Sequence, residues 1–325
     1  MRDQYDREID YMRISVTDRC NLRCKYCMPD GVPLTEMKEL LTFEEIEETV
    51  KTAASLGIHH IKLTGGEPLI RRGLPNLVRM LKAIDGIDRV TLTTNGILLR
   101  DRLPALIESG LDAVNISLDT TDPAIFKNIT GTDAAEEVLS ALDFAVSTGI
   151  RTKINAVSLD LGEENLRNLL RLAKDRPVDV RFIEMMPIGL GRKYPVLDHR
   201  KLLAMLEKMY PEMTVDPSQH GFGPAVYYSV PGFQGSIGLI SAIHGKFCSS
   251  CNRVRLTSTG YLKTCLCYHD GVLLKPILRS GMPEEQRGAL LCEKMRSAIY
   301  RKPGQHCFEE IDHVTESAAM NMIGG

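Results

Sequence analysis

Tyr11-Met-Arg-Ile-Ser-Val16 and, just beyond it, Cys20-Asn-Leu-Arg-Cys24-Lys-Tyr-Cys27 decide how the chain is read. The first stretch is apolar and strand-like. The second sets three cysteines at spacing C-x3-C-x2-C directly after that strand. Three thiolates can hold three irons of a cubane cluster and leave the fourth iron open to a substrate or cofactor, whereas four thiolates would close it. The pattern reads as a reactive site and not as a passive electron carrier. Zinc is the competing reading, but it needs four ligands. Only His59 and His60, at the entrance of the next strand, offer a fourth.

Outward from this stretch, short β-like runs alternate with amphipathic helical patterns. The strand candidates are Tyr11–Val16, His60–Leu63, Arg89–Thr93, Ala113–Ser117, Thr152–Val157 and Asp179–Ile183. Helical patterns cover Phe43–Leu56, Leu74–Ile84, Ala135–Ser147 and Glu163–Ala173. Thr42 with Glu45 forms a capping-box signature. Gly57, Gly110 and Gly149 stand where left-handed C-caps are expected. Such strand–helix repeats imply parallel strands joined by right-handed crossovers. The polar motifs Cys20–Cys27, Gly65-Gly-Glu-Pro68, Thr93-Thr-Asn-Gly96, Ser117-Leu-Asp119, Asn155 and Glu184-Met-Met186 each follow or end a different strand. Barrel active sites are built from several strand ends at once. The expected fold is therefore α/β: an open, partial (β/α)6 TIM-like barrel with a C-terminal β-rich auxiliary-cluster region.

The pattern changes after about residue 195. A helix is expected at His199–Met209, then hairpin-like strands at Ala225–Val230, Ser236–Ala242, Arg253–Thr257 and Tyr261–Thr264. A helix follows near Glu284–Tyr300, and the tail from Met320 reads as extended. The expected division is a core over 1–195 and, over 196–325, a region that binds a second cluster and closes the barrel.

The chain has 325 residues and a formal net charge of −2, which argues against a nucleic-acid binder held by bulk charge. No apolar run is long enough for a membrane span and no signal-like start is visible, so the cytoplasm is expected. In that reducing compartment nine cysteines read as metal ligands and not as disulfides. Cys248, Cys251 and Cys265 form a second triplet, with Cys267 close by. On spacing alone, zinc with Cys267 as fourth ligand and a second open cluster are equally supported. If Cys265 and Cys267 share a strand they point to opposite faces, which favours the open cluster. Cys292 and Cys307 read as ordinary residues.

With Tyr26 before its last cysteine, the first triplet resembles that of the radical S-adenosylmethionine (SAM) enzymes. The match narrows along the chain. Arg13-Ile-Ser-Val-Thr-Asp-Arg-Cys20-Asn, Gly65-Gly-Glu-Pro-Leu69, Leu92-Thr-Thr-Asn-Gly96, Asn115-Ile-Ser-Leu-Asp119, Arg181-Phe-Ile-Glu184 and Cys248-x2-Cys251-x13-Cys265, with Arg253, Arg255 and a terminal Gly324-Gly325, appear in order. Together they resemble the GTP 3′,8-cyclase family, also described as molybdenum cofactor biosynthesis protein A, from about Tyr5 to Gly325.

The resemblance implies two 4Fe–4S clusters, on Cys20, Cys24 and Cys27 and on Cys248, Cys251 and Cys265. It implies SAM contacts from Tyr26, Gly66, Ser117 and Met186, and GTP contacts from Arg13, Lys62, Thr93, Lys153, Arg253 and Arg255. Gly324 and Gly325 would enter the cavity beside the phosphates. The implied reaction is a lyase step opening molybdenum cofactor (molybdopterin) biosynthesis. A 5′-deoxyadenosyl radical takes hydrogen from C3′ of GTP, and 3′,8-cyclo-7,8-dihydro-GTP forms. The implied partners are a flavodoxin- or ferredoxin-like electron donor and a downstream cyclic pyranopterin monophosphate synthase. No nucleic acid or membrane is implied, and the family is often dimeric. Lys62 stands where the family pattern has Arg, which turns a bidentate phosphate contact into a point charge. A radical SAM peptide-modifying enzyme with an auxiliary cluster, and a non-catalytic metal-binding protein, are the alternative classes.

Overall fold

A computed structural model describes residues 1–29 and 34–324. The first part runs β1 (Tyr11–Ser15), α1 (Phe43–Ser55), β2 (His60–Thr64), α2 (Leu74–Lys82), β3 (Arg89–Thr94), α3 (Leu99–Glu108), β4 (Ala113–Ser117), α4 (Pro123–Thr130), α5 (Ala135–Ser147), β5 (Arg151–Val157), α6 (Glu163–Asp175) and β6 (Asp179–Ile183). The second runs α7 (His199–Met209), β7 (Thr214–Asp216), β8 (Val226–Ser229), β9 (Ile237–Ile240), β10 (Arg253–Leu256), β11 (Tyr261–Lys263), β12 (Gly271–Leu273), α8 (Lys275–Leu278) and α9 (Glu284–Tyr300).

Local chemistry sets the ends of these elements. The Thr42–Glu45 capping box is closed in both directions, at 3.2 and 2.8 Å. Gly57, Gly110 and Gly149 adopt φ of 87°, 95° and 76°, conformations that glycine adopts without a Cβ penalty. The helix before Gly110, α3, carries Pro104 inside it, and periodicity did not single out the short α4. The latter starts on an Asp122 cap with Pro123 in its first turn. The tail also differs from expectation, forming one 3-10 turn at Met320–Met322.

The sheet order is β12-β11-β10-β1-β2-β3-β4-β5-β6-β9-β8-β7. Strands β1 to β6 lie side by side and parallel. The expected hairpin-like pairings appear, with β10 against β11 and β8 against β9. Their attachment was not expected: β10 joins β1 and β9 joins β6, both in parallel. The short link 241–252 therefore runs from one edge of the parallel sheet to the other and carries Cys248 and Cys251.

Period-two alternation explains what lines the inside. Met12, Ile14, Ile61, Leu63, Val90, Leu92, Val114, Ile116, Ile154, Val180 and Phe182 belong to one continuous apolar core. Their sequence neighbours face the other way. In register on that other face stand Arg255, Arg13 and Lys62, then Thr93, Asn115, Lys153 and Asp179, then Asn155 and Arg181. A barrel interior is ordinarily filled by branched aliphatic side chains. Here the inner face of the parallel strands is polar and cationic.

A smaller apolar cluster of Ile188, Cys267, Phe308, Val314 and Ile323 fastens the tail. Lys263 and Glu316 form an ion pair beside it, each side chain 1% exposed. Removing one member of a buried pair strands the other charge. Glu316→Gln is therefore expected to lower stability by roughly 3 kcal/mol, read as a lower urea midpoint at unchanged slope.

Candidate active site

The loop after β1 is held by the end of a helix. The Arg23 and Lys25 amides donate to the Thr130 and Ile129 carbonyls at the α4 C-terminus, at 2.8 and 3.0 Å. Those carbonyls lack partners within their own helix. Within the loop, the Cys27 and Met28 amides both donate to the Cys24 carbonyl and form a tight turn. Cys20 Sγ accepts from the Leu22 amide at 3.4 Å and from Asn95 Nδ2 at 3.8 Å. Burial raises the thiol pKa of all three, Cys27 up to about 12, and Cys24 and Cys27 are raised further by the neighbouring thiols. Such a trio keeps its protons until a metal displaces them.

The structure supplies no fourth zinc ligand from His60. Zinc ligands crowd within about 2.3 Å of one centre. His60, at the start of β2, stacks on Phe222 at the end of the barrel away from the cysteines. The Cys24 thiol lies within electrostatic reach of Cys27 and Cys20, and three thiolates are the donor set of a cubane with one open iron.

The Gly65-Gly66 turn serves the chain itself first. A Cβ at Gly65 would stand 2.6 Å from the Thr17 carbonyl oxygen, and one at Gly66 would stand 2.6 Å from the Arg19 carbonyl carbon. The Gly66 and Glu67 amides donate to the Thr17 and Arg19 carbonyls, both at 2.7 Å. These glycines let the cysteine loop lie directly on the end of β2. Glu67 then ties β2 to β3, accepting from the Leu69 amide at 2.9 Å, the Thr94 hydroxyl at 2.7 Å and the Asn95 amide at 2.7 Å. Burial still raises its carboxyl pKa to about 7. Tyr26 donates to Asp119 at 2.6 Å, and Asp119 accepts the Val157 amide at 2.8 Å. Ser117 is exposed at the end of β4. Met186 packs partly buried against the tail-holding cluster.

The second triplet lies at the other end of the barrel. Arg253, two residues after Cys251, is in register with Tyr11 at the start of β1, whereas Cys20 follows the end of β1. The strand of 5 residues between them spans roughly 16 Å at ~3.3 Å per residue. Burial and the charges of Cys265 and Cys251 raise the Cys248 thiol pKa. Burial acts the same way on Cys251, but Lys302 and Arg253 outweigh it and lower that thiol to about 6. Cys265 lies beyond the end of β11, so it shares no strand with Cys267. Cys267 is fully buried with its sulfur 3.1 Å from Cys307 Sγ and is occupied there. Cys307 thus has a specific partner and is not the ordinary residue expected.

Between the two triplets lies the cationic row. Lys62 is buried, with no side-chain hydrogen bond or ion pair among the described residues. Burial and the charges of Arg181, Arg13 and Lys153 pull its ammonium well below the ordinary range. Burial and neighbouring arginines likewise lower Arg13 and Arg255. Arg13, Arg255 and Thr64 all donate to the Gly324 carbonyl, at 3.3, 3.0 and 3.2 Å, so the tail reaches this row. Gly325 lies outside the described residues. Thr93 Oγ1 and Arg181 Nε are buried with no partner among the described residues. Arg253 lies over Phe247, toward the second triplet, and Lys153 is engaged by Asp179 and Tyr227.

Sequence reasoning missed Arg181 as a site residue, although its position two residues from Asp179 on the inner face was a usable signal. Asp119 and Lys302 were also missed. Their roles depend on contacts with Tyr26 and the second triplet that no local pattern encodes.

The family described as the radical SAM superfamily matches residues 14–173, and the family described as Molybdenum Cofactor Synthesis C matches residues 178–308. A GTP 3′,8-cyclase of Clostridium perfringens (strain 13 / Type A) is 41% identical over 327 residues, covering 100% of both chains. One of Alkaliphilus oremlandii (strain OhILAs) is 39% identical over 331 residues, again covering 100% of both. The chain belongs to the GTP 3′,8-cyclase family of radical SAM enzymes. The partial-barrel fold of that superfamily is likewise seen in Streptococcus suis SuiB bound to S-adenosylmethionine. That chain gives a TM-score of 0.67 at 13% identity over 96% of this chain and 76% of SuiB. Radical SAM enzymes carry a 4Fe–4S cluster and S-adenosylmethionine, and the first triplet has the donors and spacing for that cluster.

Gly66→Ala is expected to push the cysteine loop off the end of β2. Anaerobically reconstituted variant should retain about half the iron of the parent, with the second triplet still loaded. Full iron content would show that the loop tolerates the Cβ.

Proposed function

We propose that the chain converts GTP to 3′,8-cyclo-7,8-dihydro-GTP in the first step of molybdenum cofactor biosynthesis. The observation that carries this reading is the buried cationic row of Arg13, Lys62 and Arg255, set between two cysteine triplets at opposite ends of one strand. The full-length relatives are named for the same reaction.

When bound, the first cluster and SAM supply a 5′-deoxyadenosyl radical that removes hydrogen from C3′ of GTP, after which that carbon joins C8 of the guanine. The protein's own part is placement. Cys20, Cys24 and Cys27 hold the first cluster at the carboxyl ends of the strands. Tyr26, Gly66, Ser117 and Met186 surround the SAM position, with Tyr26 fixed by Asp119. Cys248, Cys251 and Cys265 would hold a second 4Fe–4S cluster, whose open iron would be available to the substrate. Arg13, Lys62, Arg253 and Arg255 neutralise the triphosphate, joined by Arg181, with Thr93 as a smaller polar contact and Lys153 near the floor. Arginine forks suit phosphate because each donates two parallel bonds. Gly324 already lies against Arg13 and Arg255, so the tail shares the phosphate end of the cavity.

Residues 1–195 form the radical-generating core in this reading, and 196–325 supply the second cluster and cover the barrel's open side. Among the described residues no helix is long and apolar enough to cross a membrane. We place the enzyme in the cytoplasm. It draws electrons from a flavodoxin- or ferredoxin-like donor and passes product to a cyclic pyranopterin monophosphate synthase. A peptide-modifying radical SAM enzyme is less well supported, because a buried row of cations recognises a polyanion and not a neutral peptide.

The direct experiment is anaerobic incubation of the reduced, reconstituted protein with SAM and each purine triphosphate. 5′-Deoxyadenosine and a cyclised nucleotide are expected with GTP alone. SAM cleavage indifferent to the nucleotide would overturn the reading. Lys62→Met separates function from stability. It removes an uncompensated buried charge, so the urea midpoint should rise, while GTP affinity falls about tenfold, the equivalent of one charge-assisted contact. SAM affinity should not change.

A further inference from the structure

The segment between β7 and β8 crosses the amino-terminal end of the barrel, opposite the first triplet. Phe222 stacks on His60 with ring centroids 3.4 Å apart, and the Phe222 carbonyl accepts from Asn252 Nδ2 at 3.3 Å. Two residues earlier, His220 meets two carboxylates. Its Nδ1 lies 2.9 Å from Asp179 and its Nε2 lies 2.8 Å from Asp216. The ring is stacked on Tyr227 at 3.9 Å and 13°. Ser218 and Ser236 hydroxyls also face Asp216.

The same segment holds Lys153. Its ammonium meets Asp179 at 2.8 Å, the Tyr227 hydroxyl at 2.9 Å and the His220 carbonyl at 2.5 Å. An ammonium has three donors, so all three are in use. Lys153 can reach a phosphate only by giving up one of these partners, and the ion pair with Asp179 is the obstacle. A carboxylate left unpaired beside a triphosphate would be both desolvated and repelled. Asp179 is shared, however. His220 and Lys153 both approach its Oδ2 atom, and both act to lower its pKa.

We propose that His220 is a positioning residue for the triphosphate: by keeping the Asp179 carboxylate paired, it releases Lys153 to the substrate. The proposal rests on the reading of GTP as substrate. Lys153 exchanges Asp179 for a phosphate oxygen, and the Asp179 carboxylate keeps its hydrogen bond to His220 Nδ1, whose ring Asp216 holds from the other side. Lys62 differs, because it carries no counter-ion to displace.

The test is a double-mutant cycle on the loaded enzyme, with GTP turnover and the binding of inorganic tripolyphosphate both measured. For His220→Gln, the KM for GTP and the Kd for tripolyphosphate should each rise about tenfold, one charge-assisted contact. The kcat, SAM affinity and iron content should stay within twofold. Asp179→Asn removes the competing carboxylate and should tighten tripolyphosphate binding. In the double variant the His220 substitution should then cost less than twofold. A role confined to stabilising the fold would lower the thermal midpoint without this non-additivity. An unchanged KM in His220→Gln, or additive effects in the cycle, overturns the proposal. Should His220→Gln fail to fold, Asp179→Asn alone decides, since unchanged or weaker tripolyphosphate binding contradicts it. If the parent enzyme forms no cyclised nucleotide from GTP, it is the substrate reading that has failed.

Discussion

Like charges are forced together on the inner face of the parallel sheet. Register places Arg13 between Lys62 and Arg255, and the charge of Arg181 bears on both Arg13 and Lys62. Water cannot dissolve the repulsion, because these side chains are buried. The fold tolerates the arrangement because the opposite face of every strand packs into one large apolar core. That core supplies the stability that offsets the crowding of charge on the inner face.

The two cysteine triplets follow from the same geometry. The triplets stand toward opposite ends of β1, and the cations occupy the sheet face between them. The tail joins the same arrangement. Asn321 donates to the Asp18 carbonyl beside the first triplet at 3.0 Å, Glu316 pairs with Lys263 beside the second, and Gly324 sits among the arginines. A single short segment therefore touches all three parts of the site.

Much of this was legible along the chain. The alternation of strands and helices, the capping box and the glycine caps are local, and the structure contains them. The cysteine spacing announced open clusters, because ligand number and spacing are chemical facts of the sequence. Other features were legible only in part. Gly65 and Gly66 read as a ligand-binding turn, yet their nearest approach is to the chain's own Thr17 and Arg19. Lys153 read as a phosphate contact, and its engagement with Asp179, Tyr227 and His220 could not be seen from its own strand.

The sequence by itself determined which residues could do chemistry and on which face of each strand they stand, since side-chain type and a period of two are local properties. Only the tertiary structure decided where they meet. Strands β9 and β10 attach to opposite edges of the parallel sheet, and the link between them carries Cys248 and Cys251 to the far end of the barrel. Edge pairing depends on which strand is left unpaired when the core closes. The burial that strips Lys62 of solvent, and the choice between Cys265 and Cys267, depend on packing between residues far apart in the chain.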